Sequence, residues 1–157
     1  MNVIIEKQED LIEDKVVIYC REENQEIKRI KGFIKNINMK LCASLDCKKI
    51  MITPEEIYYI ESVDKRTFVY LRDKVLECSL RLYEIEERFK EFSFFRASKS
   101  TIVNVMYIKD INVLLNRNLL VTLENKEKLI ISRRNVKDFR KLIGWEWYDW
   151  VIIMIVN

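Results

Sequence analysis

Phe94-Phe95-Arg96-Ala97-Ser98-Lys99-Ser100-Thr101-Ile102-Val103-Asn104 is the stretch where a helical pattern gives way to a strand-like one. Two aromatics and an Ile-Val pair bracket one arginine, one lysine and two serines. Apolar flanks of this kind anchor a segment in a core while its short polar centre faces outward. The centre carries cationic and hydroxyl donors and no carboxylate, which suits a polyanion such as a DNA backbone. Ser132-Arg133-Arg134-Asn135 repeats the chemistry before a second helical pattern.

Upstream of this stretch, Leu82, Ile85 and Phe89 mark one face of a helix over about residues 80–91, with Ser79 as its expected N-cap. Downstream, Ile102–Val105, Tyr107–Leu115, Leu119–Leu123 and Lys128–Ile131 read as strands. Asn116-Arg117-Asn118 and Glu124-Asn125-Lys126 supply turns between them. Val136, Phe139 and Ile143 give a last helix its apolar face, with Asn135 to cap it and Gly144 to end it.

The earlier half continues the β pattern. Leu41–Leu45 and Lys49–Thr53 flank a turn at Asp46-Cys47-Lys48, and Pro54 stops the second strand. Ile57-Tyr58-Tyr59-Ile60, Thr67–Leu71 and Val75–Ser79 are rich in β-branched and aromatic residues, with Asp64-Lys65-Arg66 as a charged loop. Before residue 41, Val3–Ile5 and Lys15–Arg21 read as short strands. Ile27, Ile30, Ile34, Ile37 and Leu41 then follow a helical 3-4 spacing. That isoleucine seam packs either on its own domain or on a dimer or partner surface. The fold expected is mainly β (α+β), with a β-β-α N-terminal segment over 1–40, a main domain over 41–144 and an apolar tail over 145–157.

With 49% hydrophobic and 34% charged residues, and only two glycines and one proline, the chain suits one soluble globular domain without a flexible linker. The net charge of +3 says little, but residues 96–144 hold 11 basic against 4 acidic residues. A basic excess limited to one region is what a phosphate-facing surface requires, and a lysine-rich solvated face is its bland counterpart. Cys20, Cys42, Cys47 and Cys78 lack paired metal-ligand spacing, histidine is absent, and the N-terminus lacks a signal-peptide core. Free, mostly buried thiols in a cytoplasmic protein are therefore expected. With no histidine base, no phosphate-cradling glycine loop and no metal cluster in the sequence, neither an enzyme nor a cofactor is expected.

Four segments in order resemble the LytTR family of DNA-binding domains of bacterial transcription regulators. They are Ile57–Ser62, Leu82–Glu86, Phe95–Asn104 and Ile131–Val136, and the likeness runs from about residue 41 to 144. The resemblance implies a mainly β fold whose loops enter successive major grooves at imperfect direct repeats in promoters. It assigns base contacts to Lys65, Arg66 and Thr67 in a first loop, Lys99 in a second and Arg134 in a third. Arginine and lysine match the acceptors of a guanine edge. Ser98, Ser100, Ser132, Arg133 and Asn135 fall to phosphates, which fix register without reading sequence. Some members carry histidine or asparagine in these loops where this chain has Thr67 and Lys99, so no recognition sequence carries over.

Residues 1–40 are too few for the receiver domain that many such regulators carry. By the same resemblance, short members are often encoded beside a small membrane protein, and some are held inactive by it. Double-stranded DNA, a second copy of the chain on DNA and such a membrane protein are thus the implied partners. The competing reading is a protein-interaction module held by a membrane partner, its DNA binding weak or lost. The tail Trp145–Val156 is too short to span a bilayer. It lies at a membrane interface, pairs with another chain, or folds back on its own domain.

Overall fold

The computed structural model describes residues 4–12, 15–35 and 37–145. Residues 146–157 lie outside the described part, and with them the expectations for the tail beyond Trp145. Elements run in the order α1 (Gln25–Lys35), β1 (Leu41–Leu45), β2 (Lys48–Ile52), β3 (Tyr59–Val63), β4 (Arg66–Tyr70), β5 (Val75–Cys78) and α2 (Leu82–Arg88). They continue with β6 (Phe94–Arg96), β7 (Thr101–Asn104), β8 (Ile108–Val113), β9 (Leu119–Leu123), β10 (Lys128–Ile131) and α3 (Val136–Ile143). Short 3-10 turns at Pro54–Glu56 and Val105–Tyr107 punctuate the strands. The mainly β expectation holds. The N-terminal strands do not: residues 4–8 and 15–20 form neither helix nor strand. Ile4, Ile5, Ile12 and Tyr19 are at least 80% exposed, so these segments bury too little apolar surface to hold a sheet.

Seven strands form one antiparallel sheet in the order β2-β1-β5-β4-β3-β7-β6, and β10-β9-β8 form a second. Side-chain alternation explains how one sheet serves two cores. On β3, Ile60 faces a cluster with Val69, Leu76, Ile85, Phe89 and Ile102, covered by α2. Its neighbour Tyr59 faces the opposite cluster with Val103, Leu119, Val121, Ile131 and Phe139, covered by the second sheet and α3. All four residues of β7 are buried, Ile102 and Val103 on opposite cores and the polar Thr101 and Asn104 at the two ends. Asn104, buried at its end, donates to the Ile57 carbonyl (3.0 Å) and accepts from the Met106 N–H (3.2 Å), so its amide is satisfied in the core.

Helix α1 lies over the C-terminal ends of the other two helices. Gly32 is buried against Glu91, and Arg29 donates to the Leu142 carbonyl at 3.2 Å. Ile27, Ile30 and Ile34 are half-buried, whereas Leu41 belongs to β1 and the first core. The seam therefore divides: its helical part ends at residue 35 and its last member is a strand residue. Two further expectations are corrected. Arg81, not Ser79, is the N-cap of α2, with its N–H donating to the Glu84 carboxylate at 2.7 Å. The cysteines are free, but only Cys78 is buried. Cys42 points outward from β1 between two core residues, Cys47 sits at a turn tip with φ +65°, and Cys20 lies in the irregular 15–20 segment.

Candidate nucleic-acid interface

Strand registers bring three loops to one edge of the fold. Val63 opposite Arg66 leaves Asp64-Lys65 at the tip of the β3–β4 hairpin, with φ +49° and +65°. Positive φ at both central residues gives the turn twist that tight hairpins favour. Thr101 pairs with Glu61, so the 97–100 loop emerges from the same end of the sheet. The Ser62 N–H donates to the Ser100 carbonyl at 2.8 Å and joins these two loops. On the other side, the Ser132 N–H donates to the Ala97 carbonyl (2.8 Å), and Asn135 Nδ2 donates to the Arg96 carbonyl (2.8 Å). The three segments thus form one hydrogen-bonded row. At about 4.8 Å per strand, the row spans roughly 15–20 Å from Lys65 to residues 132–135.

Arg96 organises the middle loop. Its guanidinium donates to the Ser98 carbonyl (2.7 Å), the Lys99 carbonyl (2.5 Å) and the Glu86 carboxylate on α2 (3.1 Å). A planar fork with donors fixed in direction suits this three-way clamp. Ser98 Oγ accepts from the Ser100 N–H at 3.2 Å, closing the loop on itself. Lys99 is left at the exposed tip. Arg81, from the start of α2, donates to the Lys65 carbonyl and supports the first loop in the same way.

The residues singled out by sequence fall into distinct groups. Lys65, Lys99, Arg133 and Arg134 are exposed at the edge, and among the described residues their side chains enter no hydrogen bond, ion pair or ring contact. Ser98, Ser100 and Ser132 are half-buried beside them. Arg66 is at the edge but paired: it holds Glu77 of β5 through two bonds of 2.7 and 2.5 Å and stacks over Phe68. That pairing keeps the Glu77 carboxyl below the usual carboxylate range.

Thr67 is a correction. Alternation along β4 turns it inward to 2% exposure, so it cannot reach a base. Asn135 stands at the N-cap position of α3, but its side chain donates to the Arg96 carbonyl and does not cap the helix. Sequence reasoning did not find the contributions of Arg81 and Asn135 to the scaffold. Both depend on contacts between residues 16 and 39 positions apart, for which no local pattern exists.

A cleft of about 440 Å³ opens beside the row between α2, β6 and the start of α3, with Phe94, Phe95, Arg96 and Asp138 in its wall. Its Glu86 carboxylate is already engaged by Arg96.

Residues 48–144 match the family model described as the LytTr DNA-binding domain. The transcriptional regulatory protein YpdB of Escherichia coli K12 is 32% identical over 98 residues, 61% of this chain and 40% of that protein. The sensory transduction protein LytT of Enterococcus faecalis is 28% identical over 94 residues, 60% of this chain and 39% of that one. The chain therefore spans about 40% of the length of these relatives. A solved LytTr DNA-binding domain from Bacillus cereus superposes with a TM-score of 0.64 at 28% identity, covering 67% of this chain and 96% of that domain.

Proposed function

The chain belongs to the LytTr DNA-binding domain family, and from that premise we propose that it is a transcription regulator reading promoter DNA through the loop edge. Residues 41–144 are the DNA-binding unit. The observation that carries the reading is the row of three mutually hydrogen-bonded loops presenting Lys65, Lys99, Arg133 and Arg134, whose side chains have no partner among the described residues. A row of roughly 15–20 Å exceeds a major groove about 12 Å wide, so its two ends meet different segments of a duplex. Lys65, Lys99 and Arg134 take the base-reading roles in successive grooves, with Ser98, Ser100, Ser132 and Arg133 on phosphates. Arg66 joins the readers only by exchanging Glu77 for a guanine edge. Direct repeats would bring two copies of the chain side by side on the duplex.

Titration against promoter and scrambled duplexes between about 50 and 200 mM salt tests this. Neutralising about six phosphates gives a log–log slope near −5, with tighter binding to the promoter. Absence of binding at low salt, or binding indifferent to sequence, sinks the proposal. Arg134→Ala should cost about 1–3 kcal/mol on the promoter and less on scrambled DNA. An equal loss on both would move Arg134 to a phosphate.

A second reading rests on the N-terminal exposure of Ile4, Ile5, Ile12 and Tyr19. These residues suit a partner, including a small membrane protein, that holds the chain and controls its access to DNA. Among the described residues no helix is long and apolar enough to cross a membrane. Removing residues 1–20 should abolish retention on membranes carrying the partner and leave duplex binding intact. Loss of duplex binding would instead tie the segment to the DNA-binding unit.

A further inference from the structure

The loop edge does not stop at residue 135. Leu119 at the start of β9 pairs with both Ile131 and Val113, so the β8–β9 turn emerges at the same end as the 132–135 segment. A side-chain bond joins the two: Asn118 Oδ1 accepts from the Arg133 N–H at 2.9 Å. The turn is also braced within itself. The Arg117 N–H donates to the Leu114 carbonyl (2.9 Å), the Leu114 N–H to the Asn118 carbonyl (3.0 Å), and the Asn118 N–H to Asn116 Oδ1 (3.1 Å).

Arg117 stands at the tip with φ +64°. An arginine in the left-handed region costs on the order of 1 kcal/mol, and asparagine, its neighbour on both sides, tolerates that region better. The turn's backbone bonds hold that conformation, but among the described residues the Arg117 side chain adds nothing to them: it is exposed and enters no hydrogen bond, ion pair or ring contact. A braced turn that presents an unneutralised cation beside Arg133 extends the row by one or two strand spacings, about 5–10 Å. That is the scale of two or three backbone steps at 3.4 Å each along one DNA strand.

We propose that the Asn116-Arg117-Asn118 turn is a fourth DNA contact. Arg117 grips a backbone phosphate just outside the groove entered by the 132–135 segment, and Asn118 is the positioning residue that ties the turn to Arg133. The assignment rests on the DNA-binding reading above and adds to it a contact outside the three loops. Phosphate, rather than a base, is the target because the neighbouring segment occupies the groove and the turn lies beyond it.

The test compares wild type, Arg117→Gln and Arg117→Lys on one promoter and one scrambled duplex over a range of salt. Arg117→Gln should flatten the log–log slope by about 0.9. It should weaken binding about eightfold at 0.1 M salt, equally on both duplexes, with the difference vanishing towards 1 M. Arg117→Lys should keep the wild-type slope. With wild-type protein, replacing single phosphates of the promoter duplex by methylphosphonate should locate one position where affinity falls and to which Arg117→Gln is indifferent. An unchanged slope in Arg117→Gln, or no such methylphosphonate position, overturns the fourth contact while leaving the regulator reading in place. A loss confined to the promoter, or failure of lysine to restore the slope, overturns the phosphate assignment. Absence of wild-type binding to any duplex overturns the regulator reading itself and this contact with it.

Discussion

Replacing Arg96 by lysine keeps the charge and removes the fork, and it separates a clamp from a DNA contact. The guanidinium now serves the Ser98 carbonyl, the Lys99 carbonyl and Glu86 from a side chain only 27% exposed. A single ammonium on a flexible stem can hold one of the two carbonyls but not the whole set. Bonds to a charged donor contribute about 1.5 kcal/mol or more each, and the freed carbonyls regain water, so the net loss is about 2 kcal/mol. For a chain of this size that lowers Tm by roughly 4–8 °C. Well below Tm the protein stays folded, yet the 97–100 loop must be ordered during binding at about 1 kcal/mol per residue released. Affinity for the promoter duplex should then fall about tenfold or more. The salt slope should not move, because lysine keeps the charge. Calorimetry and duplex titration of the same preparation read both quantities. Unchanged Tm and affinity would show that the clamp holds nothing, and a fall in affinity with Tm unchanged would place the Arg96 guanidinium on DNA instead.

Four further outcomes follow from other parts of the fold. Glu77→Gln should release Arg66 and remove a negative charge from the loop edge, tightening duplex binding; weaker binding would show that the ion pair orients Arg66 for DNA. The folded-state Glu77 carboxyl lies below its ordinary range, so the contribution of this pair to stability is present above about pH 4.3 and is lost as pH falls through the folded value. Burial pushes the Tyr59, Tyr70 and Tyr107 hydroxyls up, with neighbouring carboxylates and tyrosines adding to it. Their contribution is complete below about pH 10 and lost above it, so phenolate absorbance should appear together with unfolding; independent titration of all three near pH 10 in folded protein would contradict this. Gly32→Ala should destabilise in urea unfolding although alanine favours helix by about 1 kcal/mol. The new Cβ would stand 2.8–2.9 Å from Glu91 side-chain atoms, and a gain in stability would show that α1 is not held there.

Much of this architecture was legible because local patterns carried it. β1, β9 and β10 appear where alternation and β-branched residues mark them, and Gly144 ends α3 in the left-handed conformation expected of it. β6 was missed, since Phe94–Arg96 is three residues long and all half-buried, too short to show a period. Lys15–Arg21 misled in the other direction. Its Val-Val-Ile-Tyr composition is strand-like, but strand propensity reflects packing on neighbours, and these residues have little to pack on.

The site divides along the same line. Residue type and order along the chain identified three basic segments, because a donor-rich, carboxylate-poor stretch between apolar anchors is a property of consecutive residues. Which members of each segment face outward was settled by tertiary structure. Thr67 is turned into the core, Arg66 is held by Glu77 from another strand, and Arg96 and Asn135 are consumed in binding loops to one another. The alignment of those loops into one row, and the approach of the Arg117 turn to its end, follows from strand registers and bonds between residues 15 to 39 positions apart. Sequence determines what each segment can donate. Only the paired backbone determines which donors remain unsatisfied within the fold and are therefore free to meet DNA.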